Sequence, residues 1–187
     1  MTGATAWPDC AFWDFSLALY ARPGIEAICL MLQDDFGLDV NLVLLAAWTA
    51  SRGTKLAPDL AARLRSLGEG YQATVMQPCR AARRGLRGWP EMTALGDLAA
   101  APERRLRALE LDLERLEQLR LAALVESRHP APEASGPDLF RANLEALYPG
   151  RALPEPVLET FAAGVASLRP KRRAAPFNPI CPRDSKA

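Results

Sequence analysis

The chain has 187 residues, 49% hydrophobic and 24% charged, with a net charge of +1. A chain of this length buries roughly 70% of its unfolded surface as one domain, so it needs neither disulfides nor metal to hold a core. The near-neutral balance excludes a global electrostatic pull toward nucleic acid or membrane. The scattered Cys10, Cys29, Cys79 and Cys181 form no CxxC pair that would bind zinc or cycle as a dithiol.

Met1-Thr2-Gly3-Ala4-Thr5 lacks the basic start and following apolar stretch of a secretory signal. The longest apolar run, from Leu42 to Trp48, falls far short of the roughly 20 residues that cross a bilayer. The expectation is a cytoplasmic protein with no membrane partner. The basic residues are 20 Arg against 3 Lys, a bias that a GC-rich coding background explains without a partner.

Phe12, Phe15, Ser16 and Leu19 share one helical stripe and Trp13, Leu17 and Tyr20 a neighbouring one. This spacing predicts a central helix over 11–21 with Asp9 as its N-cap. Pro23 suits the first turn of a second helix that runs to about Phe36, where Gly37 fits a left-handed C-terminal cap. Asp39 is a good N-cap for a third helix over 40–52, apolar on nearly every side.

Pro58-Asp59 starts the next helix, with Leu60, Leu64 and Leu67 on its inner face and Gly68 and Gly70 weakening it. Pro78 predicts a break or kink near residue 77, within a pattern that is otherwise helical to Leu86. The longest helix is predicted over 102–128, on the repeat Leu106, Leu109, Leu113 and Leu116. That repeat is too short for a coiled coil and indicates packing within a bundle.

Residues 129–137 read as a loop, Asp138 as the cap of a short helix to Tyr148, and Glu155 to Leu168 as the last helix. The prediction is an all-α, single-domain bundle of six to eight helices over 1–168, with a disordered Pro/Arg-rich tail over 169–187.

Candidate chemistry is sparse. Asp34-Asp35-Phe36-Gly37-Leu38-Asp39 has the form DDxxxD and looks like the aspartate-rich motifs of all-α prenyl-diphosphate enzymes, whose carboxylates hold Mg²⁺ against a diphosphate. Gly37 opposes this, because it ends the helix between the carboxylates and takes Asp39 off their face. With Asn41, Asp34, Asp35 and Asp39 therefore form a candidate acidic site, or else a capped corner. Two carboxylates near a helix C-terminus oppose its dipole, so a compensating Arg from elsewhere in the fold is expected.

Arg80, Arg83, Arg84 and Arg87 share one helical face, a candidate anion-binding or RNA-binding surface. Pairing with the acidic cluster Glu110, Asp112, Glu114 and Glu117 explains that face equally well, although Glu110, Asp112 and Glu114 are expected on the solvent side of their helix. Asp14 and Asn41 are polar residues in apolar surroundings, and Asn41 is expected to serve backbone groups near its helix start.

His129 is the one histidine and is explained as a cation at a helix end. Lys171-Arg172-Arg173 reads as a solvated tail. No catalytic residue, metal site or cofactor is expected, for want of a nucleophile elbow, a phosphate loop or a His/Cys cluster.

The order Phe12-Trp13, Tyr20-Ala21-Arg22-Pro23-Gly24, Gln33-Asp34, Asp39-Val40-Asn41-Leu42 and on to Trp48 resembles an uncharacterised family of small proteobacterial proteins. The resemblance covers roughly residues 10–165 and is specific over the first 53. It implies a bacterial, cytosolic, helical protein with no assigned activity, and it transfers no functional residues. The leading expectation is a non-enzymatic protein-interaction or structural module, with a protein partner or self-association through the aromatic first helix or the Leu-rich long helix. A Mg²⁺-dependent enzyme acting on a prenyl diphosphate and a nucleic-acid binder are the alternatives.

Overall fold

The fold is arranged around the one helix that is buried on all sides. The computed structural model describes residues 6–127 and 136–168. Residues 1–5, His129 with most of its loop, and the tail from 169 with Cys181 and Lys171-Arg172-Arg173 lie outside the described residues.

Helix α3 (Val40–Ser51) buries every residue from Asn41 to Ala50. A helix apolar around its whole circumference must be surrounded. Around it stand α1 (Ala11–Tyr20), α2 (Ile25–Asp34), α4 (Pro58–Tyr71), α7 (Asp97–Glu126), α8 (Pro137–Leu147) and α9 (Glu155–Ser167), each of which touches it. Phe12 of α1 stacks on Trp48 of α3 at 5.2 Å, and Phe140 of α8 stacks on Phe161 of α9 at 5.5 Å. Eight α-helices have ten or more residues, and every described element is helical, so the chain is all-α.

The turns differ from the sequence reading in detail. Cys10, not Asp9, occupies the α1 N-cap, its Sγ accepting from the Trp13 N–H. The chain then bends by 104° into α2. Pro23 precedes α2 rather than entering it, because Gly24 takes the left-handed conformation at its start, with φ 82°. Among the described residues no single helix is long and apolar enough to cross a membrane.

Pro78 neither breaks the chain nor ends its helix. Residues Gln72–Met76 widen into a π turn, in which the Gln77 N–H donates to the Gln72 carbonyl, and α5 (Gln77–Gly88) continues from it. The wider turn relieves the clash between the proline ring and the carbonyl four residues back, which an α-helix does not tolerate. The short α6 (Pro90–Thr93) then reverses the chain into α7, which starts at Asp97 and carries Pro102 inside it. Gly136 holds the N-cap position of α8, so Asp138 falls in its first turn.

Helices α5 and α7 form an antiparallel hairpin that leaves the main core. Among the described residues α5 buries none, and the buried residues of α7 all lie from Glu117 onward. The predicted leucine stripe is therefore split. Leu106 and Leu113 are half-buried, whereas Leu109 and Leu116 are exposed, because a two-helix hairpin covers only one side of each helix.

Candidate functional site

The acidic turn resolves into two separate environments. Asp34 and Asp35 are exposed at the end of α2, where Asp34 Oδ1 accepts from Gln33 Nε2. An arginine from elsewhere does reach the end of α2: Arg151, from the turn after α8, donates to the Phe36 carbonyl just beyond the helix, without an ion pair to Asp34 or Asp35 among the described residues. Gly37 takes a left-handed φ of 62°, and the Leu38 N–H closes the turn on the Leu32 carbonyl at 2.9 Å.

Asp39 points the other way. It caps α3, with Oδ1 accepting from the Asn41 N–H at 2.9 Å, and its own peptide is held by Tyr148. The Tyr148 hydroxyl accepts from the Asp39 N–H at 3.2 Å and donates to the Asp39 carbonyl at 3.1 Å. Asp39 Oδ2 lies against α4, where a Cβ on Gly68 would stand 2.8 Å from it. The glycine that weakens α4 as a helix former is thus the one that makes room for this carboxylate.

The partner of Asp39 is Glu117 of α7, 1% exposed and near enough that each carboxyl shifts the pKa of the other. Sequence pattern groups Glu117 with Glu110, Asp112 and Glu114, of which only the other three are expected on the solvent side. Glu117 Oε2 accepts from Asn41 Nδ2 at 2.7 Å and from Gln72 Nε2 at 3.2 Å. Glu117 Oε1 and Asp39 Oδ2 are the two buried carboxyl oxygens without any other partner among the described residues. Two such oxygens in contact satisfy each other only when one carries a proton.

Electrostatics agrees with that geometry. Burial first, and the Asp39 charge second, push Glu117 up to about 9. Burial also raises Asp39, against the lowering effect of its hydrogen bonds with Glu117, Asn41 and Leu42 and the nearby Arg80 charge. Asp39 Oδ1 and Glu117 Oε2 are both committed as acceptors, so the shared proton lies between the remaining oxygens, Asp39 Oδ2 and Glu117 Oε1. The pair holds one net negative charge at neutral pH.

A chain of amides continues inward from the pair. Gln118 Nε2 donates to Asn41 Oδ1 at 2.8 Å, and Ser16 Oγ donates to Gln118 Oε1 at 2.9 Å. The Asn41 side chain therefore serves Glu117 and Gln118 of α7 rather than the backbone around its own helix start, and Gln118 passes the chain on to Ser16 of α1. Asp14 is exposed. Ser16 and Gln118 escape the sequence reading as site residues, whereas Glu117 is named there as a member of the acidic cluster; the visible signal is a polar residue among apolar neighbours within helices α1 and α7.

Two clefts meet at Asp39. One, of about 220 Å³, lies between α1, α3 and α7 and is lined by Trp13, Leu17, Tyr20, Leu44 and Leu111 over the Ser16, Asn41 and Gln118 floor. The other, of about 420 Å³, is lined by Arg65, Glu69, Gln77, Tyr148 and Arg151. Gln33, Leu38, Asp39, Gln72 and Arg80 line both.

The arginine face of α5 is turned toward α7. Arg80 pairs with Glu114 at 3.0 Å, Arg83 with Glu110 at 2.7 Å, and Arg87 with Glu103. Glu110 and Glu114 are partly buried by this contact rather than facing solvent, and Asp112 remains exposed. Arg84 is the one member of the four that is exposed without a place in this ladder. Among the described residues no three His, Cys, Asp or Glu side chains gather to hold a metal ion.

No match to the chain was found among curated proteins or among solved structures. One family model matches residues 11–121, a span that takes in Asp39, Glu117 and every residue lining the smaller cleft. The chain belongs to that family, described as a protein of unknown function (DUF2390).

Proposed function

We propose that this protein is a non-enzymatic helical module that docks a protein partner through the outer face of α7. The observation that carries the reading is a row of leucines on that face. Leu98, Leu109 and Leu116 are exposed by 77%, 46% and 47%. At 100° per residue they lie within about 20° of one another around the helix. Arg105 and Asp112 stand exposed beside the leucines on the same face, and exposed apolar side chains rimmed by polar residues are the usual mark of an interaction surface.

The opposite side of the same helix is tied to α5 by the Arg80, Arg83 and Arg87 ladder, which presents the leucine row on a fixed support. Light scattering over a concentration series, together with affinity capture from lysate, compares the native chain with a Leu109→Glu, Leu116→Glu variant. Self-association or a captured protein that the variant loses supports the reading. A monomer at every concentration, with identical capture by both chains, overturns it.

A further inference from the structure

The two clefts at Asp39 have complementary characters. The smaller is walled by Trp13, Leu17, Tyr20 and Leu111, and the larger by three guanidinium groups. Their five shared lining residues set the two clefts side by side along one groove wall, one cleft apolar and the other cationic.

Two of the three arginines of the cationic cleft, Arg65 and Arg151, form no ion pair among the described residues, whereas Arg80 is paired with Glu114. Arg65 Nη1 donates to the Ala146 carbonyl at 2.6 Å, and Arg151 donates to the Phe36 carbonyl. Each guanidinium has five N–H donors, so one bond to a backbone carbonyl fixes its orientation and leaves most of its donors open. Glu69 lines the same cleft but is exposed at its edge and makes no ion pair with Arg65. Gln33, Gln72 and Gln77 add amide groups around the same space.

We propose that this groove binds a small amphiphilic anion, with an oxyanion head held by Arg65 and Arg151 and an apolar body lying along Trp13, Leu17 and Leu111. Oriented guanidinium forks suit a carboxylate or phosphate. The larger cleft falls within the roughly 300–1,000 Å³ usual for small-molecule sites. The proton shared by Asp39 and Glu117 has a role here, since it leaves one charge rather than two beside the bound anion. The site stands apart from the leucine face of α7.

Calorimetry on the full chain with four probes tests the proposal: octanoate, octyl phosphate, octylamine and inorganic phosphate. At least one octyl anion is expected to bind tenfold or more tightly than octylamine and than inorganic phosphate, and the better head tells a carboxylate from a phosphate ligand. Replacing Arg65→Gln and Arg151→Gln together is expected to weaken that anion at least tenfold. Leu17→Asp, at an exposed position whose substitution spares the fold, is expected to weaken the octyl anion as well.

If the double arginine variant melts early, the probe ranking and Leu17→Asp decide the matter alone. Equal binding of octylamine and the octyl anions, or inorganic phosphate binding as tightly as octyl phosphate, overturns the proposal. So does anion binding that is indifferent to Leu17→Asp or to the arginine pair.

Discussion

Glu117 shares a proton with Asp39 at neutral pH because it is buried against this second carboxylate with no cation in place to neutralise both. Its pKa is raised by folding, so between the ordinary carboxyl range and about pH 9 the folded chain binds more protons than the unfolded one. Stability then falls as pH rises through that window and is highest below it. Glu117→Gln mimics the protonated acid: its oxygen accepts from Asn41 and Gln72, and its amide donates to Asp39. Chemical denaturation at pH 8 should find this variant more stable than the native chain by at least one pKa unit's worth, about 1.4 kcal/mol, with the gain vanishing near pH 4. A variant less stable at pH 8 would mean that the acid pair does not share a proton. Gly68 belongs to the same small region. Gly68→Ala places a Cβ 2.8 Å from Asp39 Oδ2 and 3.0 Å from Leu42 Cδ1, and neither neighbour is free to move. Overpacking of that kind costs about 1–3 kcal/mol, although Ala is the better helix former. A melting temperature at or above the native value for this alanine variant would show that the carboxylate has room to shift.

At the scale of elements, what joins α8 to the central helix is polar as well as apolar. Asn143, fully buried on α8, donates through Nδ2 to Thr49 Oγ1 at 3.0 Å and to the Thr54 carbonyl at 2.9 Å. Its Oδ1 accepts from the Leu56 N–H at 2.9 Å. One side chain thus satisfies the buried turn between α3 and α4, where the backbone has no ladder of its own. Asn143→Ala leaves a buried N–H and a carbonyl unpaired, and the expected loss is about 3 kcal/mol in a denaturant titration. A loss below about 1 kcal/mol would indicate that water enters to replace the amide. Nothing in the local pattern marks Asn143 as central, because a single Asn in a short amphipathic helix reads equally well as surface. The π turn is the reverse case, since Pro78 announced an irregularity and the structure shows its form, a widened turn over Gln72–Met76.

For the whole molecule, the division is between a packed body around α3 and the hairpin of α5 to α7 that projects from it. Burial is concentrated in the body, so substitutions on the outer face of the hairpin should act on association and not on folding. The Leu109→Glu, Leu116→Glu variant should melt within about 0.5 kcal/mol of the native chain while losing the contact made by that face. A large drop in melting temperature would place those leucines in a core that the exposed surface does not reveal.

The sequence by itself determined the all-α class, the all-round burial of the third helix and the Asp39 cap, because hydrophobic period and capping chemistry are local. It also required a distant cation at the end of α2, where Arg151 binds the Phe36 carbonyl. But it put the first helix at the centre, where the structure puts α3 and leaves Asp14, Leu17 and Ala18 of α1 exposed. Only the tertiary structure decided which carboxylates meet. Asp34, Asp35 and Asp39 are close in sequence and part company at Gly37, whereas Asp39 and Glu117 are far apart and come into contact. The pairing depends on how α7 crosses the start of α3 and on the gap that Gly68 leaves in α4, and neither is a property of any one segment. The same holds for the groove, whose cationic wall is drawn from α4, α5 and the turn after α8, and whose apolar wall comes mainly from α1 and α7.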